Sequence, residues 1–182
     1  MFTHVVLLFQ SIGFNPPARL RSNDFVVGTS GLQIAASDAV SVQAINVADA
    51  SCAAFIVLPV SGLGRYYHVV SWLAPSVQAQ FGVVAVEDNT VVTITFPRSN
   101  GVQVPYDGRN YTDLEVITVT LDAFETIQLR DIGNNDLTGT RVVATKEVAV
   151  FSGNYRTSKS SICLRPFKLL HLPLFCSRTN HV

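Results

Sequence analysis

VVAVEDNTVVTITF, Val83 to Phe96, is the stretch whose reading decides the fold class. Val92, Ile94 and Phe96 share one side of an extended chain, and Val91, Thr93 and Thr95 share the other. That two-residue period belongs to a strand. Asp88 and Asn89 tolerate the left-handed backbone of a tight turn, so the stretch reads as a hairpin with VVAVED as its first arm. The Val92, Ile94 and Phe96 side is expected to face a core. No side chain here can perform chemistry; the stretch is scaffold.

The same punctuation extends outward. AAFIVLPV (53–60) is followed by the turn SGLGR (61–65) and by YYHVVSWL (66–73), and later come EVITVTL (115–121) and ETIQLR (125–130). Val, Ile, Thr, Phe and Tyr dominate, helical periodicity is hard to find before Tyr155, and turn residues recur about every 8–12 positions. The expectation is an all-β chain of antiparallel β-sandwich type. With 48% apolar and only 14% charged residues, against about 25% charged in an ordinary domain, a disordered chain is disfavoured.

An internal match organises the chain. TSGLQIAASDAVSVQAIN (29–46) aligns without a gap on LTGTRVVATKEVAVFSGN (137–154). Gly31 falls on Gly139, Ala36 on Ala144, Val40 on Val148, Val42 on Val150 and Asn46 on Asn154. Both copies keep one parity of apolar residues across a polar interruption, as a hairpin must. The offset, 139 − 31 = 108 residues, suits a whole β-domain rather than a solenoid repeat. The chain therefore reads as about one and a half units. Residues 1–46 are the closing strands of a first unit, 47–154 a second unit, and 155–182 a divergent tail outside the fold.

Charge supports the last boundary. Residues 1–155 hold all 13 acidic residues against 8 basic ones, whereas the tail holds Arg156, Lys159, Arg165, Lys168 and Arg178 and no acid. Pro166 and Pro173 argue against a continuous amphipathic helix there, leaving an altered end, a disordered tail or a docking strand as its readings. Zero formal net charge gives no reason to expect nucleic acid. No apolar run approaches the length of about 18 residues that a membrane-spanning helix needs. Val5 to Phe9 reads as a strand; it lacks the basic leader and cleavage site of a signal peptide. Cys52, Cys163 and Cys176 have no metal-ligand spacing, and their odd number leaves the redox compartment open.

Chemistry-bearing motifs are scarce. His4, His68, His171 and His181 are scattered, with no nucleophile turn, zinc-protease helix or phosphate loop, so no catalytic residue or cofactor site is expected. His68 in GRYYHVV reads as a strand histidine facing a neighbouring strand. RDIGNNDLTGT (130–140) is dense in oxygen ligands that could hold Ca²⁺, but Asn, Asp and Gly are also what loops use to turn, and the EF-hand order is absent. No metal site is expected. Asn110-Tyr111-Thr112 is an N-glycosylation sequon within VPYDGRNYTD, read as an exposed loop. Tyr66, Tyr67 and Trp72 could form an aromatic platform, or be divided between core and edge.

Three motifs together resemble a known family. Leu63-Gly64 with Tyr66-Tyr67, then Glu87-Asp88-Asn89-Thr90, then Asp136-Leu137-Thr138-Gly139-Thr140 leading to Phe151-Ser152-Gly153-Asn154 are similar to the N-terminal domain family of IgGFc-binding protein, over roughly Phe25 to Asn154. The family continues after the last motif with a Cys- and Pro-containing segment from which this sequence departs near Tyr155. The resemblance implies a secreted, non-enzymatic β-domain of mucus or other extracellular coats, often beside von Willebrand type D modules. It implies a protein or glycan partner, IgG Fc or mucin-like, with no binding residue transferable. A structural spacer repeat is the competing role; a sandwich enzyme or lectin comes last, for want of a titratable cluster.

Overall fold

The computed structural model describes residues 3–8, 27–37, 39, 41–48, 51–72, 78–98 and 101–154. Among them the chain is all-β, with one 3-10 turn at Val60–Gly62. The strands are β1 (Thr3–Leu8), β2 (Gly31–Ala36), β3 (Gln43–Ala48), β4 (Ser51–Ile56), β5 (Gly64–His68), β6 (Ala79–Ala85), β7 (Thr90–Thr95), β8 (Val104–Tyr106), β9 (Arg109–Tyr111), β10 (Val116–Leu121), β11 (Thr126–Arg130) and β12 (Arg141–Asn154). The strand read at Val5–Phe9 corresponds to β1. The tail from 155, with Cys163 and Cys176, lies outside the described residues, and Cys52 falls in β4.

The six-stranded sheet has the order β10-β7-β12-β6-β11, with β5 also paired to β12, all antiparallel. β6 and β7 do not pair with each other, which corrects the hairpin reading of Val83–Phe96. They lie end to end along β12: Ala79 to Ala85 face Asn154 to Val148, and Val92 to Thr95 face Ala144 to Arg141. β10 and β11 continue one another in the same way, β10 on β7 and β11 on β6. Three long strands thus bend side by side, at 86–89, 122–125 and 144–147. The segment 137–154 read as a second hairpin is accordingly a loop and one 14-residue strand. Its counterpart 29–46 is divided between β2, paired to β1, and β3, paired to β4.

The bends are stitched together. Asp88 accepts from the Ala123 amide at 2.9 Å, and Asp122 accepts from the Asn89 amide at 3.0 Å. The Thr145 hydroxyl accepts from the Val91 amide at 2.9 Å, and the Lys146 ammonium donates to the Asp88 carbonyl at 2.6 Å. Asn89 (φ 55°) and Phe124 (φ 65°) turn through the left-handed region. Asn does so readily; Phe124 does so at a cost of order 1–2 kcal/mol, offset by packing against Val84 and Ala149.

One core fills the inside of both halves. Val92, Ile94 and Phe96 are 0%, 0% and 1% exposed, as the alternation predicts. They meet Ile117, Val119 and Leu121 from β10, Val142 from β12, and Phe81, Val83, Ile127 and Leu129 from the other half. Burying an Ile94-sized side chain contributes about 2–3 kcal/mol. The outer faces differ. That of β6 and the end of β12 is covered: Val84, Ala149 and Phe151 pack with Val60, Leu63 and Phe124, and the Phe55 and Phe151 rings lie 5.3 Å apart. The outer face of β5, β7, β10 and the start of β12 has nothing over it among the described residues.

Candidate binding surface

The uncovered face follows from parity. From Tyr66 to Trp72 the odd-numbered side chains, Tyr67, Val69 and Ser71, turn inward and the even-numbered ones turn out. Tyr66 is 78% exposed, Val70 47% and Trp72 38%, and His68 is exposed between them. Across the sheet Tyr66 stands opposite Val143, which faces Thr93 and then Thr118; His68 stands opposite Arg141, which faces Thr95 and then Val116. The face is a carpet of Thr and Val bordered by Tyr and Trp, with Arg141 as its one formal charge.

The platform of Tyr66, Tyr67 and Trp72 is therefore divided. Tyr66 and Trp72 reach solvent, while the Tyr67 hydroxyl accepts from the Gly64 amide at 2.6 Å and donates to the Val148 carbonyl at 2.8 Å. Burial, more than the nearby Glu147 charge and against the Gly64 hydrogen bond, raises the Tyr67 pKa. Its proton stays in place to bridge β5 and β12.

The 69–72 segment is fixed from both sides. On one side Val69 exchanges backbone hydrogen bonds with Gly139 and Thr140, and the Ser71 hydroxyl accepts from the Leu137 amide at 3.0 Å. That hydroxyl donates to Asp136 at 2.6 Å, and the Ser71 amide donates to the Thr138 hydroxyl at 3.0 Å. On the other side Ser152 donates to the Val70 carbonyl at 2.8 Å and the Asn154 amide nitrogen to the Trp72 carbonyl at 3.1 Å. Burial pushes the Asp136 carboxyl up, but the hydrogen bonds from Ser71 and from the Thr138 hydroxyl and amide outweigh it and hold it below the ordinary carboxylate range.

The polar loop at 130–140 is thereby accounted for. Asp131 is fully buried, with one carboxylate oxygen accepting from the Gln103 amide and the other from the Asn135 amide, both at 2.7 Å. Its carboxylates hold the loop to neighbouring backbone, and among the described residues no group of three His, Cys, Asp or Glu could hold a metal ion. His68 is an exposed strand residue opposite Arg141, with no nucleophile beside it. VPYDGRNYTD is not a plain loop but the hairpin β8–β9, closed by Asp107 (φ 47°) and Gly108 (φ 74°), with Asn110 exposed. Among the described residues no helix is long and apolar enough to cross a membrane.

The residues that fix 69–72 are those of the motifs DLTGT and FSGN, and the stitched bend carries EDNT. The model of the IgGFc binding protein family matches residues 53–163, well over half of the chain. The chain belongs to the IgGFc-binding protein family. The family match runs past Asn154, beyond the point at which the charge balance changes sign. Human IgGFc-binding protein is 32% identical over 146 residues, covering 79% of this chain and 3% of that protein. The chain thus spans a small part of that relative's length. No solved structure matches it. Within the IgGFc-binding protein family the motif residues here are scaffold: they set the exposed row without belonging to it. Sequence reasoning marked Tyr66 and Trp72 but missed Ser71, Ser152 and Asn154 as their supports. Asp136-x-Thr138, a pattern in which an Asx side chain bonds the backbone two residues on, was the one local signal for that loop.

Proposed function

We propose that this domain is a non-enzymatic extracellular binding module whose partner, an IgG Fc region or a mucin-like glycoprotein, docks on the row Tyr66-His68-Val70-Trp72. The observation that carries the reading is the pairing of two exposed aromatic side chains with a backbone held rigid by the family's own motif residues. Rigid aromatic anchors provide contact area at small entropic cost, and Trp and Tyr are the residues most enriched among binding hot spots. With one formal charge on the face, attachment there is tolerant of salt. The name of the human relative supports Fc as the first ligand to try.

The test is titration of the whole chain over immobilised Fc and over mucin. Saturable binding is expected, weakened about 30-fold by Trp72→Ala or Tyr66→Ala, the effect of losing about 2 kcal/mol at a hot spot. Absence of saturable binding, or variants that bind as the parent does, sinks the reading.

A second reading, a spacer repeat of a larger secreted protein, draws on the pairing registers. Ala36 and Gln33 face Thr3 and Val6, and their counterparts Ala144 and Arg141, 108 residues on, face Val92 and Thr95. Gln43 and Asn46 face Ile56 and Ala53, and Phe151 and Asn154 face Gly82 and Ala79. In each copy both halves find an antiparallel partner in the same register, β1 and β4 standing where β7 and β6 stand later. This supports the division into a partial unit (1–46), a full unit (47–154) and a tail (155–182), with the first boundary falling inside β3. Under this reading, deleting the domain from its parent changes assembly size without loss of any soluble ligand.

A further inference from the structure

We infer that Asn110 is an N-glycosylation site whose glycan stands clear of the domain, an inference that rests on the extracellular reading above. Asn110-Tyr111-Thr112 is the one Asn-x-Ser/Thr sequence in the chain. The fold places its three residues in different settings. In the β8–β9 hairpin Val104 pairs with Tyr111 and Tyr106 with Arg109, and these side chains form the inward face. Val104 is fully buried, the Tyr106 and Tyr111 rings lie 6.2 Å apart, and Tyr111 meets Phe96 of the core at 6.4 Å.

Asn110 pairs with Pro105 at the alternate position, so its side chain leaves by the opposite face. It is exposed, and among the described residues its carboxamide makes no hydrogen bond. Pro105 costs the hairpin no rung, because the position opposite Asn110 is the one whose N–H and C=O point away from the partner. Thr112 ends the segment in a fixed turn, its amide and hydroxyl donating to Glu115 at 2.6 and 3.1 Å. Arg109 pairs with the same carboxylate at 3.0 Å and lies over the Tyr111 ring at 3.9 Å. The sequon is thus anchored through Tyr111 and Thr112, and its acceptor is aimed at solvent.

The reaction needs a polyprenyl-diphosphate-linked oligosaccharide as donor. The Asn110 Nδ2 forms a bond to the first sugar's anomeric carbon, the bond from that carbon to the diphosphate oxygen breaks, Nδ2 gives up one proton and the polyprenyl diphosphate leaves. Transfer meets the chain before folding is complete; the fold's part is that the product buries nothing and displaces nothing.

The experiment is to express the whole chain behind a cleavable secretory signal, together with Asn110→Gln. Peptide mapping then follows release of N-glycans by an amidase that converts a glycosylated Asn to Asp. Occupancy is scored on the lumenal pool, identified by removal of the signal, and on the secreted pool. The expected result is Asp at position 110, a mass loss on release, neither in Asn110→Gln, and the same melting temperature for both proteins. A lumenal, folded chain with unmodified Asn110, or a glycan confined to misfolded retained material, overturns the assignment. The two readings fail separately: a glycosylated protein that binds neither Fc nor mucin counts against the binding reading alone.

Discussion

Asp136 makes its contribution through protons it does not hold. The hydrogen bonds from Ser71 and Thr138 are made to its charged form, so its folded pKa lies below the unfolded value of about 3.9. The resulting stability is present above that unfolded value and is lost as the pH falls through the lower folded one. Asp136→Asn should cost less than about 1 kcal/mol near neutrality, because the carboxylate is partly solvated. The difference between variant and parent should shrink towards about pH 3 in denaturant melts. A difference that stays constant with pH would show that the carboxylate's charge is not what matters. At this scale the sequence was legible where one residue's role depends on its immediate neighbours. Val92, Ile94 and Phe96 declare their facing by alternation, and His68 its place in a strand. Ser71 declares nothing, because its partners Asp136 and Leu137 lie 65 and 66 residues away.

At the scale of elements, the strands were readable and their partners were not. Asp88 and Asn89 suit a tight turn whether the chain doubles back on itself or kinks into a second layer, so local chemistry cannot tell a hairpin from a bend. The choice is made by remote residues: Asp122 and Ala123 on one flank, Thr145 and Lys146 on the other. Asp88→Ala and Asp122→Ala should each cost about 1 kcal/mol, and the double variant less than their sum, since both hydrogen bonds close the same pair of bends. Denaturant melts of the two single variants and the double variant provide the check; strict additivity would mean that the bends are fastened independently. The β8–β9 hairpin was missed for the opposite reason. Asp107-Gly108 is a strong hairpin signal, but the arms around it are only three residues long.

For the whole molecule, all-β class and antiparallel pairing were legible in composition and period, while the way two halves share one core was not. Because that core is common, Ile94→Asp should unfold both halves together. An unpaired carboxylate at that depth costs several kcal/mol. Circular dichroism in the far and near ultraviolet should then lose signal in one step; a soluble variant with the parent's melting curve would refute the shared core. The exposed row at Tyr66–Trp72 escaped the sequence only in part, since its residues were named but their facing depended on β12. That strand also sets an order in time. β12 comes last of the described strands yet lies between β5 on one edge and β6 and β7 on the other. Tyr67 leaves the ribosome 81 residues ahead of Val148, the residue it must hold. Until β12 emerges, β5, β6 and β7 carry backbone edges with no strand to join them. Closure of the domain is therefore a late and slow step of synthesis, and a chain stalled short of residue 141 would offer those open edges to other chains.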